Sequence, residues 1–194
     1  MASARTLVLS IPILFACCSI AVAAAQEAAQ PKLSAKALTR DQVAVYQAFL
    51  AGYQARSKHP LNVANVTDPF QPDKDDFQGC MKTFPRNSCA TEVHQFTDQF
   101  SPDIVHLVDP AKYKVASVGD FMQKNDDLDS AVTSAVAAGM MTLSEVLFDR
   151  PHHLAAISID FQCGRLCGHG GTVLFELRKG HWNRSKRFCG GWQS

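Results

Sequence analysis

MMTLSEVLFDRPHHLAAISIDFQCGRLCGHGGTVLFELRKGHWNRSKRF, residues 140–188, divides into four strand-length runs: Met140 to Phe148, His153 to Cys163, Thr172 to Arg178 and His181 to Phe188. Turn chemistry separates them: Asp149-Arg150-Pro151, a Gly-rich loop, and Lys179-Gly180. This predicts an antiparallel meander. With Lys179-Gly180 as a two-residue hairpin turn, Leu177 faces Trp182, Phe175 faces Arg184 and Gly171 faces Phe188. With Cys163 opposite Gly171, Phe161 faces Val173, Ile159 faces Phe175, Ile157 faces Leu177, and Gly170 falls opposite Cys189. That register gathers the apolar side chains on one face and leaves Ser158, Asp160, Thr172, Glu176 and Arg178 on the other. A half-buried sheet of this kind needs helices to cover it. The expected fold is α+β, with an N-terminal helix and further short helices packed on an antiparallel sheet that ends in the four-stranded meander.

Upstream, Thr39 and Gln42 form a capping box, and Leu38 and Val43 occupy the staple positions of a helix start. Val43, Tyr46, Phe49, Leu50 and Tyr53 give that helix one apolar face, and the pattern stops before His59-Pro60. Leu61 to Thr67 reads as a short strand, and Asp68 to Ser88, rich in Pro and Asp, as a long loop. Val93, Phe96 and Phe100 predict a short amphipathic helix. Ile104 to Val108 and Tyr113 to Val118 predict strands about the Asp109-Pro110 turn, and Asp127 to Ala138 predicts a helix stopped at Gly139.

The chain has 194 residues, 46% apolar and 19% charged, enough for one core and too apolar for general disorder. Met1 to Arg5 carries one positive charge, Thr6 to Ala25 is apolar or small, and Gln26-Glu27 is polar, which is a signal-peptide layout with cleavage after Ala23 or Ala25. An uncleaved anchor would need every residue of this barely sufficient run. A lipidated Cys17 would be followed by a polar tether, but Ser19 to Ala25 stays apolar. The expected organisation is a signal peptide at 1–25, a mobile leader at 26–37 and one domain at 38–194, in a periplasmic or secreted protein with no membrane span after processing. Removing 1–25 takes only Arg5 from the charges and leaves 18 basic against 18 acidic residues. A neutral chain is a poor polyanion binder, so nucleic acid is not an expected partner.

Export makes disulfides the default use of cysteine. Cys80 and Cys89 bracket the second half of the proline-containing loop, and a bond between them would tether it. FQCGRLCGHGG, 161–171, holds Cys163 and Cys167 among Gly164, Gly168, Gly170 and Gly171. Together with Leu166, the Lys179-Gly180-x-Trp182 hairpin and the Trp192-x-Ser194 end, this pattern resembles a family of uncharacterised exported bacterial proteins. The resemblance implies no established activity, and Cys189 and the Cys80 and Cys89 pair depart from its core pattern. Read physically, a local Cys163–Cys167 disulfide is the simplest account, and Cys189 is then a packed, unbridged thiol. The alternative is a zinc site of Cys163, Cys167, His169 and Cys189, although its spacing is not that of a known finger.

A Cys167 nucleophile with His169 lacks an identifiable orienting residue, and Cys163-x-x-x-Cys167 has one residue too many for a thiol oxidoreductase. His152-His153 sits at a strand start, where adjacent side chains diverge. Asp73, Asp75 and Asp76 lack the Gly and Glu of an EF-hand loop. Asn65-Val66-Thr67 and Asn183-Arg184-Ser185 match the glycosylation pattern. No triad, phosphate loop or catalytic acid pair is assembled and no cofactor is expected. The reading is therefore a non-catalytic exported domain that binds a protein, peptide or envelope component, or serves as an envelope accessory. The alternative is a hydrolase or zinc-dependent enzyme with its site at the Gly-rich loop around His169.

Overall fold

The computed structural model describes residues 33–194 apart from 35, 55–58, 73, 87, 125–126, 166 and 188. The expected signal peptide, most of the leader, Asp73, Leu166 and Phe188 lie outside the described residues. The elements are α1 (Arg40–Gln54), β1 (Leu61–Ala64), α2 (Lys74–Gln78), β2 (Val105–Val108), α3 (Val118–Met122), α4 (Leu128–Ala137), β3 (Met140–Leu143), β4 (Leu147–Phe148), β5 (Leu154–Gln162), β6 (Gly168–Arg178), β7 (His181–Arg184) and β8 (Gly191–Gln193). They make a sheet-rich α+β structure with few helices.

The sheet runs β2-β1-β3-β5-β6-β7, with β4 also paired to β5 and β8 to β6. It is mixed rather than antiparallel, which corrects the expectation: β1 lies parallel to both β2 and β3. The long connections through α2 and through α3 and α4 give the chain the length a parallel return requires. β3 and β4, expected as one strand, are separated by a bulge. Leu143 pairs with Ile159 but Leu147 pairs with Ala156, so the β3–β4 side has gained one residue between the two pairings.

β5 and β6 pair four positions away from the expected register, with Ile157 opposite Val173, Ile159 opposite Gly171 and Phe161 opposite His169. The tight Cys163–Cys167 turn, closed by Cys163 N donating to Cys167 O at 2.9 Å, lets β6 begin at Gly168 instead of Thr172. Because the slip is even, every side chain keeps its face. The Lys179-Gly180 hairpin has the positive φ values (51° and 78°) of a primed turn, and Leu177 faces Trp182. β7 then stops at Arg184, and the chain returns to the same edge of β6 as β8, with Gly171 opposite Gly191 and Gly170 opposite Trp192 rather than Cys189.

α1 starts at a reciprocal capping box: the Gln42 side chain accepts from Thr39 N at 2.8 Å, and the Thr39 hydroxyl accepts from Gln42 N at 3.3 Å. Its Val45, Tyr46, Phe49 and Leu50 pack with Ile157, Phe161, Val173 and Phe175 in the larger core. α4 is capped by the Asp127 carboxylate, which accepts from Asp129 N and Ser130 N. Val93 to Phe100 is not helical: Val93 bridges Leu33, Gln95 bridges Val66, and Phe96 N donates to Asn65 O, so the segment is extended. Tyr113 to Val118 is not a strand. It leads into α3 through a Ser117–Asp120 capping box.

The second face of the sheet is covered over part of its area, which the half-buried expectation missed. Phe70, Cys80, Met81 and Phe84, from the Asp68 to Ser88 segment, pack on Leu147, Leu154, Ala156 and Leu174.

Candidate functional site

The covered part of the second face ends where its side chains turn polar. Ser158 and Asp160 of β5 and Thr172 of β6 form the floor of a cleft of about 710 Å³, walled by Phe70, Gln71, Asp76, the Cys189–Gly191 segment and Trp192. Thr142, Asp160, Gly170 and Trp192 follow one another across β3, β5, β6 and β8 in a single row. The next row places Ser158 opposite Thr172, whose hydroxyl donates to Asp76 of α2 at 3.2 Å. Asp68 lies beside this floor, hydrogen bonded to Thr142. Desolvation on its packed side raises its carboxyl above the ordinary aspartate range, the Thr142 bond opposes that rise, and the Asp160 charge adds to it.

Trp192 depends on glycine. A Cβ at Gly170 would lie 2.4 Å from the indole Nε1, and one at Gly168 3.1 Å from the six-membered ring. The indole therefore lies flat over two residues without side chains, while 47% of Trp192 stays exposed. Two glycines of the expected Gly-rich loop, Gly168 and Gly170, serve here as a seat for an aromatic ring.

The cysteines are placed differently from the expectation. Cys163 is bonded to Cys167, but Cys80 is bonded to Cys189 and not to Cys89, which is a free, exposed thiol. The Cys80–Cys189 bond ties the segment covering the second face to the β7–β8 connection, so the leftover thiol is Cys89 rather than Cys189. The candidate zinc ligands are not gathered. Cys163, Cys167 and Cys189 are all in disulfides, Cys163 and Cys167 pack with the larger core on the first face, and Cys189 packs with the second. Among the described residues no three His, Cys, Asp or Glu are placed to hold a metal ion.

His169 points to the first face, stacked on Tyr53 at 6.1 Å with 14° between the rings, beside Phe161. With His59, Leu61, Val132 and Val136 they line an apolar pocket of about 660 Å³. His152 and His153 diverge: His152, at φ 59°, stacks on Phe148 and its Nε2 lies 2.8 Å from Asp41 Oδ2, while His153 is exposed. That imidazole, and the Trp182 N–H at 3.5 Å, hold the Asp41 carboxyl below its ordinary range. Asp75 is exposed on α2, Asp76 lines the cleft, Asn183 is exposed and Asn65 is partly buried.

Sequence reading missed a buried polar cluster. The β3–β4 bulge turns Glu145 inward to 2% exposure, where its carboxylate accepts from His94 Nδ1 at 2.8 Å, from the Thr67 hydroxyl and from Gln42 Nε2 at 3.4 Å. Tyr46 donates to Ser144 O at 2.8 Å beside it, and burial followed by the Glu145 charge raises the phenol well above its ordinary pKa. His94 is 7% exposed, so this cluster fastens α1, the bulge and the 67 and 94 segments together without facing a ligand. Its one sequence signal was a Glu inside the apolar run Leu143 to Phe148.

No protein-family model, curated protein or solved structure matches the chain. Among the described residues no helix is long and apolar enough to cross a membrane.

Proposed function

We propose that the protein is an exported, non-catalytic binding domain that receives a group of its protein, peptide or envelope partner in the cleft between Asp160 and Trp192. The observation that carries this reading is the indole seated on Gly168 and Gly170, half exposed, at the edge of a polar floor. A flat aromatic surface beside a few fixed polar groups is the usual composition of a binding site. The two disulfides and the signal-peptide layout support an oxidising compartment for the mature chain.

Two measurements test the reading. N-terminal sequencing of protein recovered from the periplasm or medium should begin at Ala24 or Gln26, and a cytosolic chain beginning at Met1 would overturn export. Immobilised oxidised protein should retain a component of the native host's envelope or medium. Trp192→Ala should release that component while the fold is kept. Equal retention by parent and variant would refute the cleft as the site.

A further inference from the structure

We infer that the pocket between β7 and β8 takes a phosphate monoester, its charge held by Arg184, Lys186 and Arg187. This goes beyond the reading of the Asp160 cleft and does not rest on it. Residues 177–194 hold five bases, Arg178, Lys179, Arg184, Lys186 and Arg187, and no Asp or Glu, so residues 26–176 carry 13 bases against 18 acids. The processed chain is neutral in sum but polarised in distribution, and the local field is what attracts an ion.

The fold gathers three of these bases at one place. β7 ends at Arg184, β8 begins at Gly191 on the same edge of β6, and a pocket of about 600 Å³ lies at their connection. Exposed Arg184, Lys186 and Arg187 line it together with Gly190, Gly191 and Trp192, and no Asp or Glu is among its described lining residues. The connection is anchored at both ends. Ser185 N donates to Leu174 O at 2.8 Å, Arg187 N donates to the Ser185 hydroxyl at 3.2 Å, and Cys189 is bonded to Cys80. Three like charges within four residues are thus held near one another against their mutual repulsion.

The acids around the pocket are committed elsewhere. Glu176 Oε1 accepts from the Ser185 hydroxyl at 2.7 Å and Oε2 from Arg178 Nε at 3.0 Å, although its charge also reaches Arg187. Arg184 and Lys186 have no carboxylate at ion-pair distance among the described residues. Asp76 and Asp160 line the neighbouring cleft and not this pocket. A carboxylate ligand would bring one negative charge, whereas a phosphate monoester brings about two at pH 7 and three acceptor oxygens, one for each cationic side chain. Arginine meets such oxygens with its fork of N–H donors, and lysine adds a point charge. The pocket is larger than the anion, which leaves Trp192 beside the organic group that bears it.

NMR titration of labelled, oxidised protein with inorganic phosphate, hexyl phosphate and acetate at fixed pH tests the inference, with sodium chloride as the screening control. Both phosphates should shift the Gly190 and Gly191 amides saturably, and acetate should bind at least about tenfold more weakly. Arg184→Gln and Arg187→Gln should each weaken phosphate binding at least about tenfold. Lys112→Gln, which removes an exposed base paired with Asp109 outside the lining, should bind as the parent does, and circular dichroism should show all variants folded. Tighter binding of hexyl phosphate than of inorganic phosphate would support an ester whose organic group lies on Trp192, and equal affinity would restrict recognition to the phosphate itself. Acetate as strong as phosphate, the same shifts with sodium chloride, or phosphate binding unchanged in both arginine variants would overturn the inference. Failure of both phosphates to bind folded, oxidised parent would overturn it too, while the partner-retention result decides the Asp160 cleft separately.

Discussion

Breaking the Cys80–Cys189 bond should cost this fold more than breaking the Cys163–Cys167 bond. The two cysteines are 109 residues apart, and a closed loop of this size is worth ~4.7 kcal/mol in the chain-entropy treatment. Cys163 and Cys167 are four apart, and the same treatment gives about 2 kcal/mol for their bond. The comparison is best made in a Cys89→Ala background, where no substitute bridge can form. Cys89 is exposed and unbridged, so its removal alone should change stability by no more than about 0.5 kcal/mol. Adding Cys189→Ala should then lower the urea-unfolding free energy by ~4.7 kcal/mol, or Tm by roughly 10–20 °C for a domain of this length. Trp182, buried in the core, reports the transition by fluorescence. The reasoning is refuted if Cys89→Ala itself destabilises by several kcal/mol, if Cys189→Ala costs nothing, or if peptide mapping of the parent recovers a Cys80–Cys89 peptide.

Removing the buried acceptor in Glu145→Ala strands His94, Thr67 and Gln42, which should cost about 3–5 kcal/mol in urea titration, with Glu145→Gln intermediate. A loss within 1 kcal/mol would show that the cluster is solvated. Desolvation raises the Asp68 carboxyl, so the native state binds its proton more tightly than the unfolded chain, and stability from this group falls as pH rises from the ordinary aspartate range through the raised native pKa. Asp68→Asn should therefore melt above the parent at pH 7, and the gain should vanish once both parent states are protonated. A gain that grows on acidification would contradict the sign.

What the sequence made legible was whatever short-range chemistry determines. The Thr39–Gln42 box opens α1, Asp127 caps α4, and the alternating runs around Ile157 and Val173 are strands. The β5–β6 register was legible only modulo two, because alternation fixes the face of a side chain and not its partner. Val93, Phe96 and Phe100 fit a helical period by coincidence. The segment is extended because its backbone bonds go to Leu33, Asn65 and Val66 neighbours that no local pattern names. The parallel placement of β1 depends likewise on the distant β2 and β3. Of the cleft, Ser158, Asp160 and Thr172 were readable as the polar face. Its walls were not, since Asp76 arrives on a helix read as loop, and Trp192 arrives on a strand that appears only when the chain comes back to β6.

The exposed thiol at Cys89 gives the oxidation of this chain a history as well as an outcome. Among the mates open to Cys80, Cys89 is nine residues away and Cys189 is 109 residues away, brought beside it where the β7–β8 connection returns to β6. Short loops close faster than long ones, so in the unfolded chain loop closure favours Cys80 meeting Cys89 over Cys80 meeting Cys189. From a Cys80–Cys89 bridge the bond in the structure would be reached by exchange, the Cys189 thiolate attacking the Cys80 sulfur and the Cys89 thiolate leaving. The pairing that spacing favours and the pairing in the folded structure are thus different ones. Oxidative refolding of the reduced chain is accordingly expected to gain more from a disulfide isomerase or a thiol buffer than from a stronger oxidant.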